Sequence, residues 1–293
     1  MSVKDRDPIT GHKTTGHEWD GITELNTSVP RAVWIFAIVT HVWAVVMWFL
    51  YPTWPLVTTY TKGLLGSNDH ARVERQVVAA NLARADWSAQ IEALEVDEIL
   101  ADPLLAGPAL ASGHQLFGDN CAACHGYDAN GGPGYPSLID DAWLWGGDAD
   151  TVMETIRVGI NNDHDESRYA EMSAFGRDGM LSRDEIRIVA DYVLSLSGTR
   201  VPADRLAAGE EIFMDNCASC HGEDARGDHD LGAPDLTDDF WIYGGTKQAL
   251  FETIYGGRQG WMPAWEHRLS PVEIKMLTAY VLNLGGHAEG EVR

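Results

Sequence analysis

Two copies of one five-residue motif constrain this chain more than any other feature of its sequence. Cys121–His125 reads Cys-Ala-Ala-Cys-His, and Cys217–His221 reads Cys-Ala-Ser-Cys-His; we call them the first and second attachment turns. The motif is the attachment signature of a c-type haem, because two thiols on one helical turn can bond the two vinyl carbons of one porphyrin. The following histidine then lies beneath the iron. The sequence therefore predicts two covalently bound haem c groups, attached through Cys121, Cys124, Cys217 and Cys220, with His125 and His221 as iron ligands.

A structural zinc site and a thioredoxin-like dithiol are the alternatives. A zinc site gathers four ligands in one place, whereas these two pairs lie about a domain's length apart and each has its own histidine. A dithiol does not need the histidine that follows. These are the only cysteines in the chain, so none is left for a disulfide framework.

Each haem site needs a sixth ligand or an open position, and one methionine occupies loop-like sequence in each repeat. Met172 lies in Glu-Met-Ser-Ala-Phe-Gly, and Met262 lies in Trp-Met-Pro-Ala-Trp. A thioether opposite histidine raises the haem potential and suits electron transfer. Pro263 fixes the loop behind Met262. Met172 lacks such a proline, and His164 in the same loop is its main alternative.

The other methionines of the repeats favour other interpretations. Met153 and Met276 fall inside helical apolar patterns, which is typical of side chains that fill a core. Met180 and Met214 are weak competitors for the ligand role, Met214 because it comes just before the second attachment turn.

Further landmarks recur in both repeats. Each has a glycine and a phenylalanine before its attachment turn and a tyrosine on its last helix: Gly113, Phe117 and Tyr192 in one, Gly209, Phe213 and Tyr280 in the other. Glycine lets two helices approach closely, so we expect one such helix crossing within each haem domain. After each histidine comes Gly-x-Pro-x-Leu, where a backbone carbonyl can accept the proximal imidazole N–H and fix its tautomer.

Residues 32–51 are twenty residues without a formal charge. A helix of that length spans roughly 30 Å, the hydrocarbon thickness of a bilayer. A cleaved signal peptide fits poorly, because the preceding arm is long and partly acidic and no small-residue cleavage site follows. The sequence therefore predicts one transmembrane anchor, with interfacial aromatics near its ends at Trp34, Trp48, Tyr51 and Trp54.

The orientation of the anchor follows from its flanks. The arm that precedes it, Met1–Pro30, has no evident helix or strand pattern, and basic residues lie at Lys4, Arg6, Lys13 and Arg31. In the twenty residues after Tyr51, Lys62 is the only lysine or arginine. The positive-inside rule then predicts a cytoplasmic N-terminus. Bacteria attach haem c outside the cytoplasmic membrane, so both haem domains are expected in the periplasm.

His41 lies at the middle of the anchor. An ionisable residue at that depth is a functional candidate by default. We favour a neutral histidine that is hydrogen-bonded across a packed helix interface over a ligand to a buried haem.

The fold class predicted from these features is mainly α: a single N-terminal transmembrane helix followed by two tandem class I-like cytochrome c domains. A membrane-proximal helix should begin at Ser67-Asn68-Asp69, reach about Leu100, and pack on the anchor or on a partner subunit. The predicted ranges are 1–31 for the cytoplasmic arm, 32–51 for the anchor, 52–107 for the membrane-proximal helix and linker, and 108–198 and 203–286 for the haem domains.

The formal net charge is −23 at pH 7. Such an acidic chain argues against nucleic acid as a partner. It favours solubility of the haem domains, or electrostatic steering of a basic partner.

The whole chain resembles the membrane-anchored dihaem subunit of cbb3-type cytochrome c oxidases. The leader Gly16-His17-Glu18-Trp19-Asp20-Gly21-Ile22 is similar to that family's segment before its anchor. The attachment turns, Met262-Pro263-Ala264 and the Leu-Ser…Tyr-Val-Leu ends also match the family's cytochrome domains. Family members have Met-Pro where Met172 is followed by Ser173, and some have two anchors where this chain has one.

The resemblance implies electron transfer from a periplasmic donor towards a haem-copper catalytic subunit in another polypeptide. It implies two haems, with Met172 and Met262 as distal ligands. The implied partners are the catalytic subunit, a monohaem cytochrome subunit and a soluble or anchored cytochrome c donor. The implied location is the bacterial inner membrane. This chain itself lacks the many transmembrane helices and histidines that an oxygen-reducing centre requires.

Two other functions stay open on sequence alone. A dihaem peroxidase would need one iron that opens to peroxide beside an acid–base pair, and nothing in the sequence resembles that arrangement. An anchored dihaem electron shuttle of another respiratory complex would have the same haem domains, and only the anchor region argues against it.

Overall fold

A computed structural model describes residues 6–285, which are mainly helical, as the sequence predicts. Lys4 and the rest of residues 1–5 lie outside the described residues, as does the predicted end of the second haem domain at residue 286. The chain divides into two compact units between Ala83 and Arg84.

The arm contains a β-hairpin, so the expectation that it has no strand was wrong. Strand β1, Thr14–Trp19, pairs antiparallel with β2, Ile22–Leu25, and Trp19 lies opposite Ile22. Asp20 and Gly21 have φ angles of 50° and 86°. Two successive positive φ values are typical of the type I′ turn, for which Asp-Gly is a strong signal. The strands are mostly exposed and polar, so no apolar alternation revealed them.

The anchor is helix α1, Arg31–Leu50, which contains an 18-residue stretch with a mean hydropathy of 2.1. It begins one residue earlier than predicted, and Tyr51 caps its C-terminus. None of its residues is buried against other described parts of the chain. Trp48 and Trp54 contact each other edge-to-face at a ring-centroid distance of 5.1 Å, beside the end of the helix. A long apolar helix with exposed side chains suits a lipid environment.

His41 is hydrogen-bonded inside its own helix. Its Nδ1 lies 2.7 Å from the carbonyl oxygen of Ala37, one turn earlier. The described hydrogen bond runs within α1, and the predicted bond across a helix interface stays a prediction.

The membrane-proximal stretch forms two helices, α2 (Asp69–Ala93) and α3 (Val96–Ala101). The Asn68 side chain accepts a hydrogen bond from the N–H of Ala71, as expected of an N-cap. In the second unit, the C-terminal end of α2 packs on the haem domains, because the fully buried Ile91 belongs to a core cluster with Ile99 and Met276. This end of the helix therefore has a packing partner within the chain.

Each repeat supplies four helices. In the first repeat these are α4 (Pro103–Asn120), α5 (Ala122–His125), α6 (Ala149–Val158) and α7 (Arg183–Leu196). In the second repeat they are α8 (Ala203–Asn216), α9 (Ala218–His221), α10 (Lys247–Gly256) and α11 (Pro271–Leu284). Ser182 and Ser270 open the last helices with matching capping boxes. The predicted boundary at 107/108 falls inside α4, which begins at Pro103 behind the N-cap Asp102.

The helix crossings join one repeat to the other, which differs from the expectation of one crossing within each domain. Helix α4 packs on α11, and α8 packs on α7. A Cβ on Gly113 would strike the backbone of Met276 and the Cβ of Tyr280, and a Cβ on Gly209 would strike Tyr192. Glycine therefore permits both close crossings, as predicted, but each tyrosine comes from the opposite repeat.

Two core clusters result, and each draws on both repeats. The first core includes Phe117, Ala122, Val152 and Ile156 from the first repeat with Trp265, Leu269, Leu277 and Val281 from the second. The second core includes Leu181, Ile186, Val189 and Val193 from the first repeat with Phe213, Ala225, Leu250 and Ile254 from the second. The predicted ranges 108–198 and 203–286 stay predictions, and they delimit the repeats along the chain, not these packed bodies.

Candidate haem c sites

The two attachment turns have the same backbone geometry. In the first, the N–H groups of Cys124 and His125 donate to the carbonyl of Cys121 at 3.1 and 3.0 Å. In the second, the N–H groups of Cys220 and His221 donate to the carbonyl of Cys217 at the same two distances. Each turn places two thiols and an imidazole on one short helix, which is the arrangement that the motif predicts.

A backbone carbonyl fixes each proximal imidazole, which confirms the expectation for the Gly-x-Pro-x-Leu segments. His125 Nδ1 lies 3.0 Å from the carbonyl oxygen of Pro136, and His221 Nδ1 lies 3.0 Å from that of Pro234. A carbonyl can only accept, so Nδ1 carries the proton and Nε2 keeps its lone pair for a metal. Burial lowers the pKa of both histidines, which favours the same neutral form.

The two thiols of each turn differ in their surroundings. Cys121 and Cys217 are partly buried, and burial raises the pKa of each thiol to about 11. Cys124 and Cys220 are exposed, and none of the four is in a disulfide. Each site therefore presents one thiol beside the apolar core and one at the surface.

The structure packs each candidate methionine against the same core as the attachment turn of the opposite repeat. Met262 is partly buried and packs against the first core, together with Cys121. Met172 is partly buried and packs against the second core, together with Cys217. Both methionines therefore lie at the edge of an apolar cluster that contains an attachment cysteine.

The loops that carry the methionines are paired through their backbones. Met262 exchanges two hydrogen bonds with Ile160, at 2.9 and 3.0 Å, and Met172 exchanges two with Arg258, at 2.8 and 3.0 Å. Gly159 caps the C-terminus of α6 and Gly257 caps that of α10, with φ angles of 67° and 69°. A Cβ on either glycine would strike the carbonyl of the methionine beside it. The two loops therefore have the same close contact in both repeats.

His164, the alternative to Met172, uses both ring nitrogens in hydrogen bonds. Its Nε2 lies 2.7 Å from a carboxylate oxygen of Glu266, and its Nδ1 accepts from the N–H of Glu166 at 3.0 Å. Arg157 bridges Glu154, Glu166 and Glu266 beside it. The structure therefore favours Met172 over His164 as the ligand candidate.

The remaining methionines have the surroundings expected of them. Met276 is buried among apolar side chains, and Met153 packs against the first core, so both have the predicted packing role. Met180 and Met214 are 49% and 41% exposed. Neither has the apolar surroundings of Met172 or Met262.

Sequence reasoning missed a set of amide side chains that join the repeats. Asn161 Nδ2 donates to the carbonyls of Ala170 and Gly260 at 2.8 and 2.7 Å. Asn162 Nδ2 donates to the carbonyl of Met262 at 2.8 Å. The sequence signal for these contacts was Gly159-Ile160-Asn161-Asn162 directly after a helix, and such a pattern is typical of an ordinary turn.

The comparisons with known proteins match nearly the whole chain. The family described as cytochrome c oxidase, cbb3-type, subunit III matches residues 108–193 and 204–281. The N-terminal domain of cytochrome oxidase-cbb3, FixP, matches residues 11–58. The chain belongs to the subunit III family of cbb3-type cytochrome c oxidases. The two subunit III matches fall on the two repeats, which confirms the prediction of two cytochrome domains.

Curated relatives agree with this membership in the family. The cbb3-type cytochrome c oxidase subunit FixP of Bradyrhizobium diazoefficiens is 48% identical, over 96% of this chain and 97% of the relative. The subunit CcoP of Cereibacter sphaeroides is 45% identical, over 98% and 99%. That of Azospirillum sp. is 44% identical, over 98% and 99%. Helix α1 lies inside the matched FixP segment, and this subunit III chain is a single-pass membrane protein.

Proposed function

We propose that this chain carries two covalent haem c groups and passes electrons towards the catalytic subunit of a cbb3-type oxidase. The observation that carries the proposal is the repeated attachment turn, in which a proline carbonyl holds the Nδ1–H of the histidine. Membership of the subunit III family and the N-terminal membrane helix support it.

The residues of each site fit haem c. Two thiols would form the thioether bonds, the histidine Nε2 would bind one face of the iron, and a methionine sulfur would bind the other. The residues concerned are Cys121, Cys124, His125, Cys217, Cys220, His221, Met172 and Met262. When bound, haem supplies an iron that exchanges one electron reversibly. The proline carbonyls keep the proton on Nδ1, so Nε2 of each histidine is free to bind the iron. A methionine sulfur, which is a soft donor, packs against the same apolar core as each site.

A partly buried arginine suggests where a porphyrin carboxylate would bind. Among the described side chains that are not exposed, Arg168 Nε is the one buried nitrogen without a hydrogen-bond partner. Its guanidinium lies 4.9 Å from the ring centroid of Trp145. Buried donors in native proteins are normally paired, and a carboxylate is the strongest acceptor for a guanidinium. We propose that Arg168 binds a propionate of one haem.

The proposed location is the bacterial inner membrane, with the N-terminus in the cytoplasm and the haem domains in the periplasm. The basic residues Arg6, Lys13 and Arg31 precede or begin α1. On the other side of the helix, Lys62 is the only lysine or arginine in the twenty residues after Tyr51. This bias follows the positive-inside rule. Haem attachment outside the cytoplasmic membrane requires the same orientation.

The proposed partners follow from the relatives, which are named as subunits of cbb3-type oxidases. They are the catalytic subunit, a monohaem cytochrome subunit and a soluble or anchored cytochrome c donor. Oxygen reduction is assigned to the catalytic subunit. The net charge of −23 suits a basic donor and opposes binding to nucleic acid.

The test is to solubilise the full chain from its native membranes, identify the proteins that co-purify and count haem that survives denaturation. We expect two covalent haems per chain and the other oxidase subunits in the same complex. The matched variant Cys121→Ala/Cys124→Ala should retain one haem. A chain that carries no covalent haem would contradict the proposal. Purification with a different respiratory complex would instead support the anchored-shuttle function.

A further inference from the structure

We infer that the segment after the anchor lies at the boundary of the lipid bilayer, as an apolar cap on the end of α1. The segment is residues 51–66, which we call the return loop. Lipid covers its exposed apolar side chains, in the leaflet where α1 ends. This cap concerns the membrane end of the chain and depends on neither the haems nor the orientation of α1.

The uncharged part of the sequence is longer than the helix that it contains. Residues 32–61 are thirty residues without an aspartate, glutamate, lysine or arginine, and α1 ends at Leu50. About twenty apolar residues suffice for a helix to cross a bilayer. Lys62 is the one formal charge in the return loop. The uncharged sequence therefore continues to Thr61, well beyond the point where the helix stops.

The return loop folds back onto the end of the helix. The N–H of Leu64 donates to the carbonyl of Phe49 at 2.9 Å, and the N–H of Leu65 donates to that of Leu50 at 3.0 Å. The last carbonyls of a helix have no partner within it, and hydrocarbon offers them none. The two bonds satisfy carbonyls that lipid would leave unpaired, so the end of α1 can lie in the apolar layer.

Gly63 makes this close return possible. Its φ is 69°, and a Cβ there would lie 2.5 Å from the carbonyl oxygen of Leu50. A side chain at this position would push the loop away from the end of the helix. Across the middle of the loop, an antiparallel bridge pairs Pro55 with Tyr60. The loop is therefore held to α1 at one end and paired with itself in the middle.

Apolar side chains of the return loop are exposed at this depth. Val57 is fully exposed, Leu64 is 81% exposed, and Leu56 and Leu65 are more than half exposed. The hydrogen bonds of Leu64 and Leu65 place both residues beside the last turn of a helix that spans the bilayer. Transfer of apolar surface from water into an apolar medium is favourable, and the medium around that turn is lipid.

The aromatic and charged residues of the loop suit the same boundary. Trp54 contacts Trp48 of α1 at a ring-centroid distance of 5.1 Å, and Tyr60 is exposed. Tryptophan and tyrosine are enriched where the hydrocarbon meets the headgroups. The carbon chain of Lys62 can stay in the apolar layer while its ammonium group reaches the lipid phosphates. The loop thus has the composition of a membrane interface.

The return loop also fixes where α2 begins. An open segment over residues 51–68 could extend by roughly 60 Å, the reach of a fully extended chain of that length. With Leu65 held at the end of α1, only residues 66–68 separate it from Asp69, the first residue of α2. Leu65 and Asp69 can therefore lie at most ~14 Å apart. Helix α2 starts at the membrane surface, and the loop does not act as a long tether.

The experiment places a photoreactive side chain in the return loop of the full chain, in its native membranes. The variants are Leu64→p-benzoylphenylalanine and Val57→p-benzoylphenylalanine. Irradiation joins the benzophenone to a neighbouring C–H group, and mass spectrometry identifies the adduct. We expect lipid acyl-chain adducts from both variants, as from the same substitution at Phe49, which is exposed in the last turn of α1. The same substitution at Asp163, an exposed acid in the first repeat, should give none.

A matched pair of glycine variants tests the fold-back itself. Gly63→Ala should open the loop, because the added methyl overlaps the carbonyl of Leu50, and should lower the yield of lipid adducts at Leu64 several-fold. Gly66→Ala is the control, because Gly66 has a φ of 57° and no atom within 4 Å of the added methyl. It should leave the yield unchanged. Equal yields in the two variants would show that this contact does not hold the loop in the membrane, and would overturn the cap.

Two other results would overturn the assignment to lipid. A cross-link from Leu64 and Val57 to another subunit would show that a partner helix covers the loop. No adduct of either kind would place the loop in water. Neither result bears on the haems, and a count of covalent haem on the same sample tests the proposed function separately.

Discussion

Ile160 and Met262 exchange two backbone hydrogen bonds, at 3.0 and 2.9 Å, although they belong to different repeats. This pairing holds the loop of Met262 against the end of α6, where Gly159 leaves room for the methionine carbonyl. The contact holds the backbone of Met262, and its side chain packs against the first core. A substitution at Gly159 should therefore shift Met262 and weaken its bond to a haem iron.

We predict that Gly159→Ala displaces Met262. The backbone of Gly159, with φ 67° and ψ −164°, lies in a region that essentially only glycine adopts, which costs another residue about 1–3 kcal/mol. The overlap with the Met262 carbonyl adds ~1–3 kcal/mol. Gly179→Ala is the matched control, because Gly179 has a φ of 73° and no atom within 4 Å of the added methyl. Denaturant unfolding should show the larger loss of stability for Gly159→Ala, together with a weaker sulfur-to-iron band. Equal losses in the two variants would mean that the contact with Met262 contributes nothing.

A second prediction concerns the crossing of α4 and α11. Gly113→Ala should destabilise the fold by about 1–3 kcal/mol, because the methyl overlaps the backbone of Met276 and the Cβ of Tyr280. Gly107→Ala on the same helix should stabilise it by up to ~1 kcal/mol, because that position is open and alanine is the better helix former. Thermal unfolding of both variants checks the signs. A stabilised Gly113→Ala chain would show that α11 does not close on α4.

The attachment chemistry could be predicted from sequence because it is local. Five consecutive residues place two thiols and an imidazole on one turn, and Pro136 and Pro234 follow closely enough to supply the carbonyls. The anchor could be predicted for the same reason, since one uninterrupted apolar run determines it. Such features depend on neighbours along the chain and on no distant contact.

The crosswise packing could not be predicted, because it depends on a choice between equivalent partners. Tyr192 and Tyr280 occupy corresponding positions in the two repeats, so the sequence pattern does not assign either tyrosine to Gly113 or to Gly209. Exchange of equivalent elements between like units alters few contacts and so has little cost. The short connection between α7 and α8 favours their antiparallel packing, and this geometric effect leaves no mark on the apolar pattern.

A third prediction concerns pH and the contacts between the repeats. Hydrogen bonds from His164 and Arg157 hold the pKa of Glu266 below its ordinary value of 4.5. The folded chain therefore binds this proton less tightly than the unfolded chain does, so stability rises with pH through this range. The contribution of Glu266 should be fully present above about pH 4.5 and decrease as the pH falls below that value.

Glu266→Gln should accordingly lower the stability near neutral pH and have a smaller effect at about pH 4. Urea unfolding of the two-haem chain at both pH values measures the difference. Asp163→Asn is the control, because Asp163 is an exposed acid in the loop that also contains His164. A Glu266→Gln effect that grows in acid would contradict the sign of the pKa shift.

The last prediction concerns electron entry. With a net charge of −23, the chain should attract a basic electron donor, and the second-order rate of donor oxidation should fall as salt increases. At physiological ionic strength, exposed charges are screened beyond about 8 Å, so the effect should be largest in dilute buffer. A small uncharged reductant serves as the control and should show no such dependence. Rates that stay flat or rise with salt would mean that the donor docks through apolar contact.

Charge reversal can then show which body receives the electron. Asp230 and Asp239 are exposed acids in the second repeat, and Asp141 and Asp150 are exposed acids in the first repeat. Lysine at one pair should slow a basic donor and flatten its salt dependence, whereas lysine at the other should change both only slightly. If neither pair alters the rate in stopped-flow measurements, the acidic surface serves solubility and does not steer the donor.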